Sequence, residues 1–171
     1  MRLLFEEITG RVDRYTINDS CWLPDEDESF SLNATANIRV SRRDSETVLL
    51  EGSMEGRCST GCDRCGEQVT ENLHCEFMYI VTTRTEQVHE PREIECSDED
   101  VITLYLREQE IDVDEILREQ TYLALPLRTL CSEDCKGICA GCGVDLNNED
   151  CRCSLDENNS AFAVLKKLTN R

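Results

Sequence analysis

The sequence predicts an α+β fold with an antiparallel β-sheet, a packed helix and a Cys-rich zinc-binding C-terminal module. Three observations predict it. Several stretches within residues 30–81 alternate apolar and polar side chains, which is the period of a half-buried strand. Residues 111–125 repeat their apolar side chains at the spacing of a helix. Six of the twelve cysteines lie between Cys131 and Cys153. A chain of 171 residues is long enough to bury one core beside such a module.

The first two strands are predicted as a hairpin. Residues 30–40 place their apolar side chains on one face, and residues 48–54 continue the alternation. The polar segment 42–45 between them is typical of a turn. Residues 69–81 alternate in the same way and predict a third strand. The group Cys58, Cys62 and Cys65 therefore lies where one strand ends and the next begins.

The predicted helix begins at a capping signal. Asp112 can accept a hydrogen bond from a backbone N–H of the first turn, and Glu115 stands three residues later. Pro126 ends the helix because proline has no N–H to donate. Residues 101–106 predict a short strand before this helix, and the charged segment 84–100 predicts a loop.

These elements predict three parts along the chain. Residues 1–126 form an antiparallel α+β domain that carries a C-x-x-C-G knuckle at 62–66. Residues 127–154 form the Cys-rich metal-binding module. Residues 155–171 form a C-terminal helix, whose apolar side is marked by Phe162, Leu165 and Leu168.

The cysteine spacing predicts a metal centre built from thiolates. The pentad C-x-x-C-G occurs at residues 62–66 and 139–143. A two-residue spacer lets both sulfurs face one cation, and the glycine can take a positive φ. Four further cysteines flank the second pentad, so the spacing predicts one or two zinc ions, each bound by four sulfurs. The predicted ligands are Cys62, Cys65, Cys131, Cys135, Cys139, Cys142, Cys151 and Cys153.

Two pairings of these ligands remain open. In one, the pair at 139–142 binds metal with the local pair at 151–153. In the other, which we favour, the knuckles at 62–65 and 139–142 join as a zinc ribbon, and a second site forms from Cys131, Cys135, Cys151 and Cys153. Iron also accepts four sulfurs but ranks below zinc. We expect ordinary thiols at Cys21, Cys75 and Cys96, while Cys58 is a possible replacement ligand.

Composition indicates what kind of partner the chain binds and in which cellular compartment it works. Lys and Arg number 18 against 36 Asp and Glu, a formal net charge of -18. Such a surface repels phosphate and attracts basic partners. The N-terminal apolar run is too short for a signal peptide, and no stretch is long enough to span a membrane. We therefore predict a cytoplasmic protein with reduced thiols, and metal in place of disulfides.

A family resemblance extends over most of the chain. Residues 125–147 read LPLRTLCSEDCKGICAGCGVDLN and close on Cys151-Arg-Cys153. This segment closely resembles the C-terminal signature of the YceD family, whose bacterial and plastid members are named for large ribosomal RNA subunit accumulation. The helix at 111–125 and the knuckle Cys62-Asp-Arg-Cys65 also match the family pattern. The resemblance implies a role in ribosome production, in which accumulation of the large-subunit RNA depends on the protein.

Three functions follow as hypotheses. The first is a non-enzymatic ribosome-biogenesis factor with structural zinc, an acidic adaptor that holds a basic ribosomal protein or pre-ribosomal particle and touches RNA weakly or indirectly. The second is an iron-thiolate redox or electron-transfer protein. The third is a zinc-dependent RNA-processing enzyme. The first is favoured because the sequence shows no catalytic motif, no phosphate-binding glycine loop and no sign of a small-molecule substrate.

Overall fold

A computed structural model describes residues 1–25, 30–84 and 102–153. The chain divides into two compact units. The first, called the sheet unit here, comprises Met1–Thr60 and Gln68–Leu127. The second, called the cysteine unit, comprises Gly61–Glu67 and Arg128–Arg171, of which the structure describes the part up to Cys153. The first knuckle therefore groups with the C-terminal cysteines and not with the strands on either side of it.

The sheet unit contains all the regular strands and the helix of the described residues, apart from the last residue of one strand. In chain order these are β1 Arg2–Leu4, a 3-10 turn Phe5–Glu7, β2 Asp13–Ile17, β3 Phe30–Arg42, β4 Thr47–Gly61, β5 Gln68–Thr82, β6 Thr103–Tyr105, β7 Glu110–Asp112 and α1 Val113–Ala124. Five strands form one sheet in the order β2-β3-β4-β5-β6, and β1 pairs with β7 in a second, two-stranded sheet.

The predicted hairpin is confirmed. β3 pairs antiparallel with β4, in a register that runs from Phe30 opposite Thr60 to Arg42 opposite Val48. The polar turn between the strands closes with backbone hydrogen bonds from Arg43 and Asp44 to the carbonyl oxygen of Thr47, at 2.9 and 3.2 Å. Side chains of β3 alternate between buried and more exposed along its length, as the period of two predicts.

The sheet is mixed, so the prediction of a purely antiparallel sheet is wrong in one strand. β6 pairs parallel with β5, and Ile80 lies opposite Thr103. Parallel neighbours need a crossover of about a dozen residues or more, and the connection from Thr82 to Thr103 exceeds that length. The strand predicted at 101–106 is present at 103–105. Its sequence is too short to show whether it would pair parallel or antiparallel with its neighbour.

The predicted cap of the helix by Asp112 is confirmed. The Asp112 carboxylate accepts hydrogen bonds from the backbone N–H groups of Asp114 and Glu115, at 3.1 and 3.3 Å. The helix ends at Ala124, and Leu125 is extended, with φ -62° and ψ 139°, immediately before Pro126. The buried face of α1 carries Val113, Ile116, Leu117, Gln120 and Thr121.

Buried polar groups under α1 are satisfied within the sheet unit. The Gln120 amide nitrogen donates to the Tyr79 hydroxyl oxygen at 2.6 Å. The Thr121 hydroxyl donates to the carbonyl oxygen of Leu117 at 2.7 Å. Because buried donors without partners are costly, the bond from Gln120 to Tyr79 of β5 helps to fix how α1 lies on that strand, whereas the Thr121 bond is internal to the helix.

Truncating a core side chain of α1 will destabilise the sheet unit strongly. Leu117 has 0% relative exposure, so Leu117→Ala leaves a cavity and is expected to lower the free energy of unfolding by about 2–5 kcal/mol. Urea denaturation followed by circular dichroism measures this. Leu123, on the same helix, is 71% exposed, and Leu123→Ala should change stability by no more than about 0.5 kcal/mol. Equal losses in the two variants would contradict the described packing of α1.

Several predictions fall outside the described residues. These are the charged loop at 84–100 except for Arg84, the C-terminal helix at 155–171, and the environment of Cys96. None of the helices in the described part of the chain could span a lipid bilayer.

Candidate metal centre

The first knuckle is a tight turn closed by its own backbone. The Cys62 N–H donates to the carbonyl oxygen of Glu67, and the Gly66 N–H donates to the carbonyl oxygen of Cys62, both at 2.8 Å. Gly66 has a φ of 78°, a backbone conformation that residues with a Cβ rarely adopt. The Arg64 N–H points at the Cys62 sulfur at 3.5 Å. The turn thus carries two cysteines and aims a backbone donor at one of them.

The second knuckle repeats this geometry. The Cys139 N–H donates to the carbonyl oxygen of Val144, and the Gly143 N–H donates to the carbonyl oxygen of Cys139, again at 2.8 Å. Gly143 has a φ of 75°, and the Gly141 N–H lies 3.4 Å from the Cys139 sulfur. The two C-x-x-C-G pentads, which are similar in sequence, therefore form the same backbone hydrogen bonds.

Four sulfurs of the cysteine unit converge in a first group, here called cluster A. Its members, whose sulfurs all lie within 4.8 Å of one another, are Cys62, Cys65, Cys131 and Cys135. The sulfurs of Cys62 and Cys135 are 3.8 Å apart, and those of Cys65 and Cys131 are 3.6 Å apart. A tetrahedral site with metal–sulfur bonds of about 2.3 Å has edges of about 3.8 Å. The spacing in cluster A fits such a site.

The remaining four predicted ligands converge in a second group, here called cluster B. Its sulfurs also lie within 4.8 Å of one another, and its members are Cys139, Cys142, Cys151 and Cys153. The Cys142–Cys151 distance is 3.6 Å and the Cys139–Cys151 distance is 3.2 Å. All eleven described cysteines are free, and these distances are far longer than a disulfide bond of about 2.05 Å.

The favoured ribbon pairing is wrong. The two knuckles do not share a cluster, because the knuckle at 62–65 meets Cys131 and Cys135 while the knuckle at 139–142 meets Cys151 and Cys153. The alternative with a local second site matches the structure. The eight residues predicted as ligands are the same eight that form the two clusters, so the difference lies in the pairing alone.

Contacts beside the cysteines explain why the first knuckle meets residues 131–135. The Asp63 N–H donates to the carbonyl oxygen of Thr129 at 2.9 Å, and the Thr129 N–H donates to the Asp63 carboxylate at 2.8 Å. The Arg64 guanidinium donates to the carbonyl oxygen of Cys135 at 2.6 Å. The sequence assigned no role to Asp63 or Arg64, although both lie inside the C-x-x-C spacer, where side chains flank the predicted ligands.

One further polar side chain in the cysteine unit reaches a sulfur. The Asn147 amide nitrogen lies 3.4 Å from the Cys135 sulfur and can donate a hydrogen bond to it. This bond is the leading cause that lowers the pKa of Cys135 below its usual value. No feature of the spacing predicted it, because Asn147 lies twelve residues beyond its target.

The thiols of cluster A differ in how readily they ionise. Burial raises the pKa of Cys62, but hydrogen bonds from backbone N–H groups, that of Cys131 first, outweigh burial and lower it to about 6. The hydrogen bond between the thiols of Cys131 and Cys135, with burial, raises the pKa of Cys131 to about 12. Neighbouring thiolates repel one another, so all four can lose their protons together only beside a cation.

Cluster B shows the same division. Hydrogen bonds from the Cys142 backbone N–H, then the Cys151 thiol, lower the pKa of Cys139 to about 6. Hydrogen bonds with the thiols of Cys142 and Cys151 raise the pKa of Cys153 to about 12. Cluster B is also more open: Cys142 and Cys153 are exposed, whereas cluster A contains two buried cysteines and no exposed one.

The other described cysteines lie outside both clusters. Cys58 has 1% relative exposure and belongs to the core of the sheet unit, where burial raises its pKa. Burial also raises the pKa of Cys75, and Cys21 is exposed. A ligand role for Cys58 is therefore not supported, and the interpretation of Cys21 and Cys75 as ordinary thiols agrees with their positions.

The donor set of each cluster consists of four cysteines. Among the described residues, no histidine or carboxylate belongs to either group. Four thiolates around zinc form a closed shell of the structural type, whereas catalytic zinc keeps one position for water or substrate. Iron accepts the same four sulfurs, so the geometry suits a metal without fixing its identity.

Comparison with known proteins gives a family match. Residues 50–169 match a family model described as large ribosomal RNA subunit accumulation protein YceD. The matched range includes both clusters and α1. Two curated relatives carry the name large ribosomal RNA subunit accumulation protein YCED homolog 1, chloroplastic. The relative from Arabidopsis thaliana is 27% identical over 148 residues, which cover 74% of this chain and 46% of the relative.

The second relative, from Zea mays, is 24% identical over 140 residues, which cover 68% of this chain and 47% of the relative. The chain thus aligns with less than half the length of these curated relatives. No solved structure matches the chain.

Proposed function

The chain belongs to the YceD family of large ribosomal RNA subunit accumulation proteins, and from that premise we propose that it is a non-enzymatic ribosome-biogenesis factor. In this proposal it supports accumulation of large-subunit ribosomal RNA as an acidic adaptor that holds a basic ribosomal protein. The observation that carries the adaptor role is the net charge of -18, found in a family named for an RNA. Proteins that grip RNA directly usually neutralise its phosphates with Lys and Arg, which are outnumbered here.

The cysteine unit adds to this acidic character. Its described exposed carboxylates are Asp63, Glu67, Glu133, Asp134, Glu149 and Asp150. A divalent ion bound by four thiolates carries a net charge of about -2, so filling both clusters makes the unit more negative. In the sheet unit, the exposed Arg39 lies 3.7 Å from the Glu51 carboxylate, which offsets its charge. These features favour a basic protein as the direct partner.

The proposed metal is zinc, one ion in each cluster, with a structural role. Clusters A and B each offer four sulfurs that lie within 4.8 Å of one another, close enough for four thiolates to bind one ion. An iron-thiolate centre is the alternative, and colour separates the two, because zinc–thiolate is colourless whereas iron–thiolate absorbs visible light. We expect purified protein to contain zinc and to show no visible absorption band.

The proposed absence of catalysis follows from the same donor sets. A zinc-dependent RNA-processing enzyme needs a metal with an open position, and four thiolates leave none. A cytoplasmic location stays a prediction for this chain, since the names of the two plant relatives place those proteins in the chloroplast.

A binding assay tests the adaptor role. Immobilised full chain, loaded with zinc, is incubated with the basic proteins of the large ribosomal subunit and, separately, with bare ribosomal RNA. We expect the immobilised chain to capture a basic protein, and this capture should survive nuclease treatment. The capture should weaken as the salt concentration rises, because charges are screened beyond about 3 Å at about 1 M salt. Capture of bare RNA, undiminished when the ribosomal proteins are removed, would contradict the adaptor role.

A further inference from the structure

Asn147 connects the two clusters. In sequence it lies between Cys142 and Cys151, two members of cluster B. In space its amide nitrogen lies 3.4 Å from the sulfur of Cys135, a member of cluster A. Its amide oxygen accepts a hydrogen bond of 2.7 Å from the backbone N–H of Lys136. The Asn147 side chain, which lies between two members of cluster B, therefore contacts both the sulfur of Cys135 in cluster A and the backbone N–H of the following residue, Lys136.

The position of Asn147 is fixed by its own loop. Its backbone N–H and its amide nitrogen both donate to one carboxylate oxygen of Asp145, at 2.9 and 2.8 Å. Asp145 forms an antiparallel bridge with Ile138, and the Leu146 N–H donates to the carbonyl oxygen of Gly137 at 2.9 Å. Residues 145–147 thus lie against residues 137–138, which directly precede the second knuckle.

The two clusters differ in how they assemble. Cluster B takes all its ligands from residues 139–153, a continuous segment. Cluster A joins two segments, and Cys65 and Cys131 are 66 positions apart. Closing a short loop costs less conformational entropy than closing a long one. Metal in cluster B closes the segment from Cys142 to Cys151 and so orders the loop that carries Asn147.

We propose, on the basis of the metal sites in the proposed function, that the two sites bind metal cooperatively through Asn147. Metal in cluster B holds Asn147 where its side-chain N–H donates a hydrogen bond to the Cys135 thiolate. Cluster A therefore binds its own ion more tightly. Linkage is reciprocal, so metal in cluster A raises the affinity of cluster B by the same factor. Asn147 acts as a positioning residue, and loss of such a partner typically weakens metal affinity by about 10–100-fold.

A double-mutant cycle on the full chain tests the coupling. Its four proteins are wild type, Asn147→Ala, Cys142→Ser with Cys153→Ser, and the combination of all three changes. Cadmium-113 serves as the probe, because its resonances distinguish the two sites once the Cys→Ser variants assign them. Competition with a chelator then gives the cadmium affinity of cluster A in each protein. The exposed Cys142 and Cys153 are chosen so that cluster B is lost without disturbing buried side chains.

We expect Asn147→Ala to weaken cadmium binding at cluster A by about 10-fold while two ions still bind. Loss of cluster B should weaken cluster A to a similar extent, and adding Asn147→Ala to that variant should change little. Asn148→Ala is the matched control. The Asn148 amide donates to Asp145 at 2.6 Å, and among the described residues it has no bond to a cluster sulfur. This control should leave cluster A within about 2-fold of wild type.

The outcomes separate the two proposals. Suppose that wild type binds two cadmium ions but Asn147→Ala leaves the affinity of cluster A unchanged. The coupling is then refuted and the metal sites stand. The same conclusion holds if the affinity losses caused by Asn147→Ala and by the loss of cluster B multiply in the combined variant. If wild type binds no cadmium at either cluster, the metal sites fail and the coupling fails with them.

Discussion

Removal of metal under reducing conditions is expected to loosen the cysteine unit while the sheet unit stays folded. The reason is the distribution of apolar side chains. Every residue of the buried apolar core, from Leu3 to Leu117, belongs to the sheet unit. The buried side chains described in the cysteine unit are instead those of Cys62, Thr129, Cys135 and Cys139. Because the described residues of this unit bury so few apolar side chains, we expect it to depend on metal for its folding energy, as small zinc domains do.

Hydrogen exchange read by mass spectrometry measures this effect. After treatment with a strong chelator, peptides from 61–67 and 128–153 should exchange nearly as fast as an unfolded chain, whereas peptides from β3 and β4 keep their protection. Adding zinc back should restore protection in the cysteine unit, which is the control against oxidation or irreversible damage. Unchanged protection across 128–153 in metal-free protein would show that the metal is not what holds this unit.

Changing one ligand in either cluster is expected to remove one ion. Cys62→Ser and Cys139→Ser each replace a soft thiolate with a neutral hydroxyl that zinc binds poorly. The metal content should fall from about two ions per chain to about one in each variant, because each cluster needs its four sulfurs. Cys139→Ser should also loosen residues 127–153 more than it disturbs the sheet unit. Elemental analysis of the purified variants, with exchange measurements on the second, gives both results.

Cysteines outside the clusters provide the controls. Cys58→Ala alters a buried thiol of the sheet core, and Cys21→Ser alters an exposed one. Both proteins should keep two ions per chain. If Cys58→Ala lost an ion while Cys62→Ser kept both, the ligand assignment of cluster A would be refuted.

The elements that sequence predicted well are those defined by local pattern. The hairpin of β3 and β4 follows from a long alternation on both sides of a polar turn, and the helix start follows from Asp112. The pairing of β1 with β7 was beyond such reasoning. β1 and β7 have three residues each, and Arg2 pairs with Asp112, more than a hundred positions away. No periodicity is measurable over three residues, so only the folded chain shows that pairing.

The candidate site divides in the same way. Spacing singled out the eight cysteines that the structure brings together in two groups, four of them in the C-x-x-C-G pentads and four beside the second pentad. The spacing did not identify which pairs meet. That choice depends on contacts of Asp63 with Thr129 and of Arg64 with Cys135, which join segments far apart in sequence. Hydrogen bonds from side chains to a distant backbone, and between distant backbone groups, leave no regular signal along the chain.

The central claim is that eight thiolates hold two divalent ions and thereby fold the cysteine unit. Native mass spectrometry of protein purified anaerobically and fully reduced tests it most directly. The predicted result is a main species with two zinc ions per chain and a mass showing that eight thiol protons have been displaced. A main species without metal, whose residues 128–153 are nevertheless fully protected from exchange, would contradict the claim.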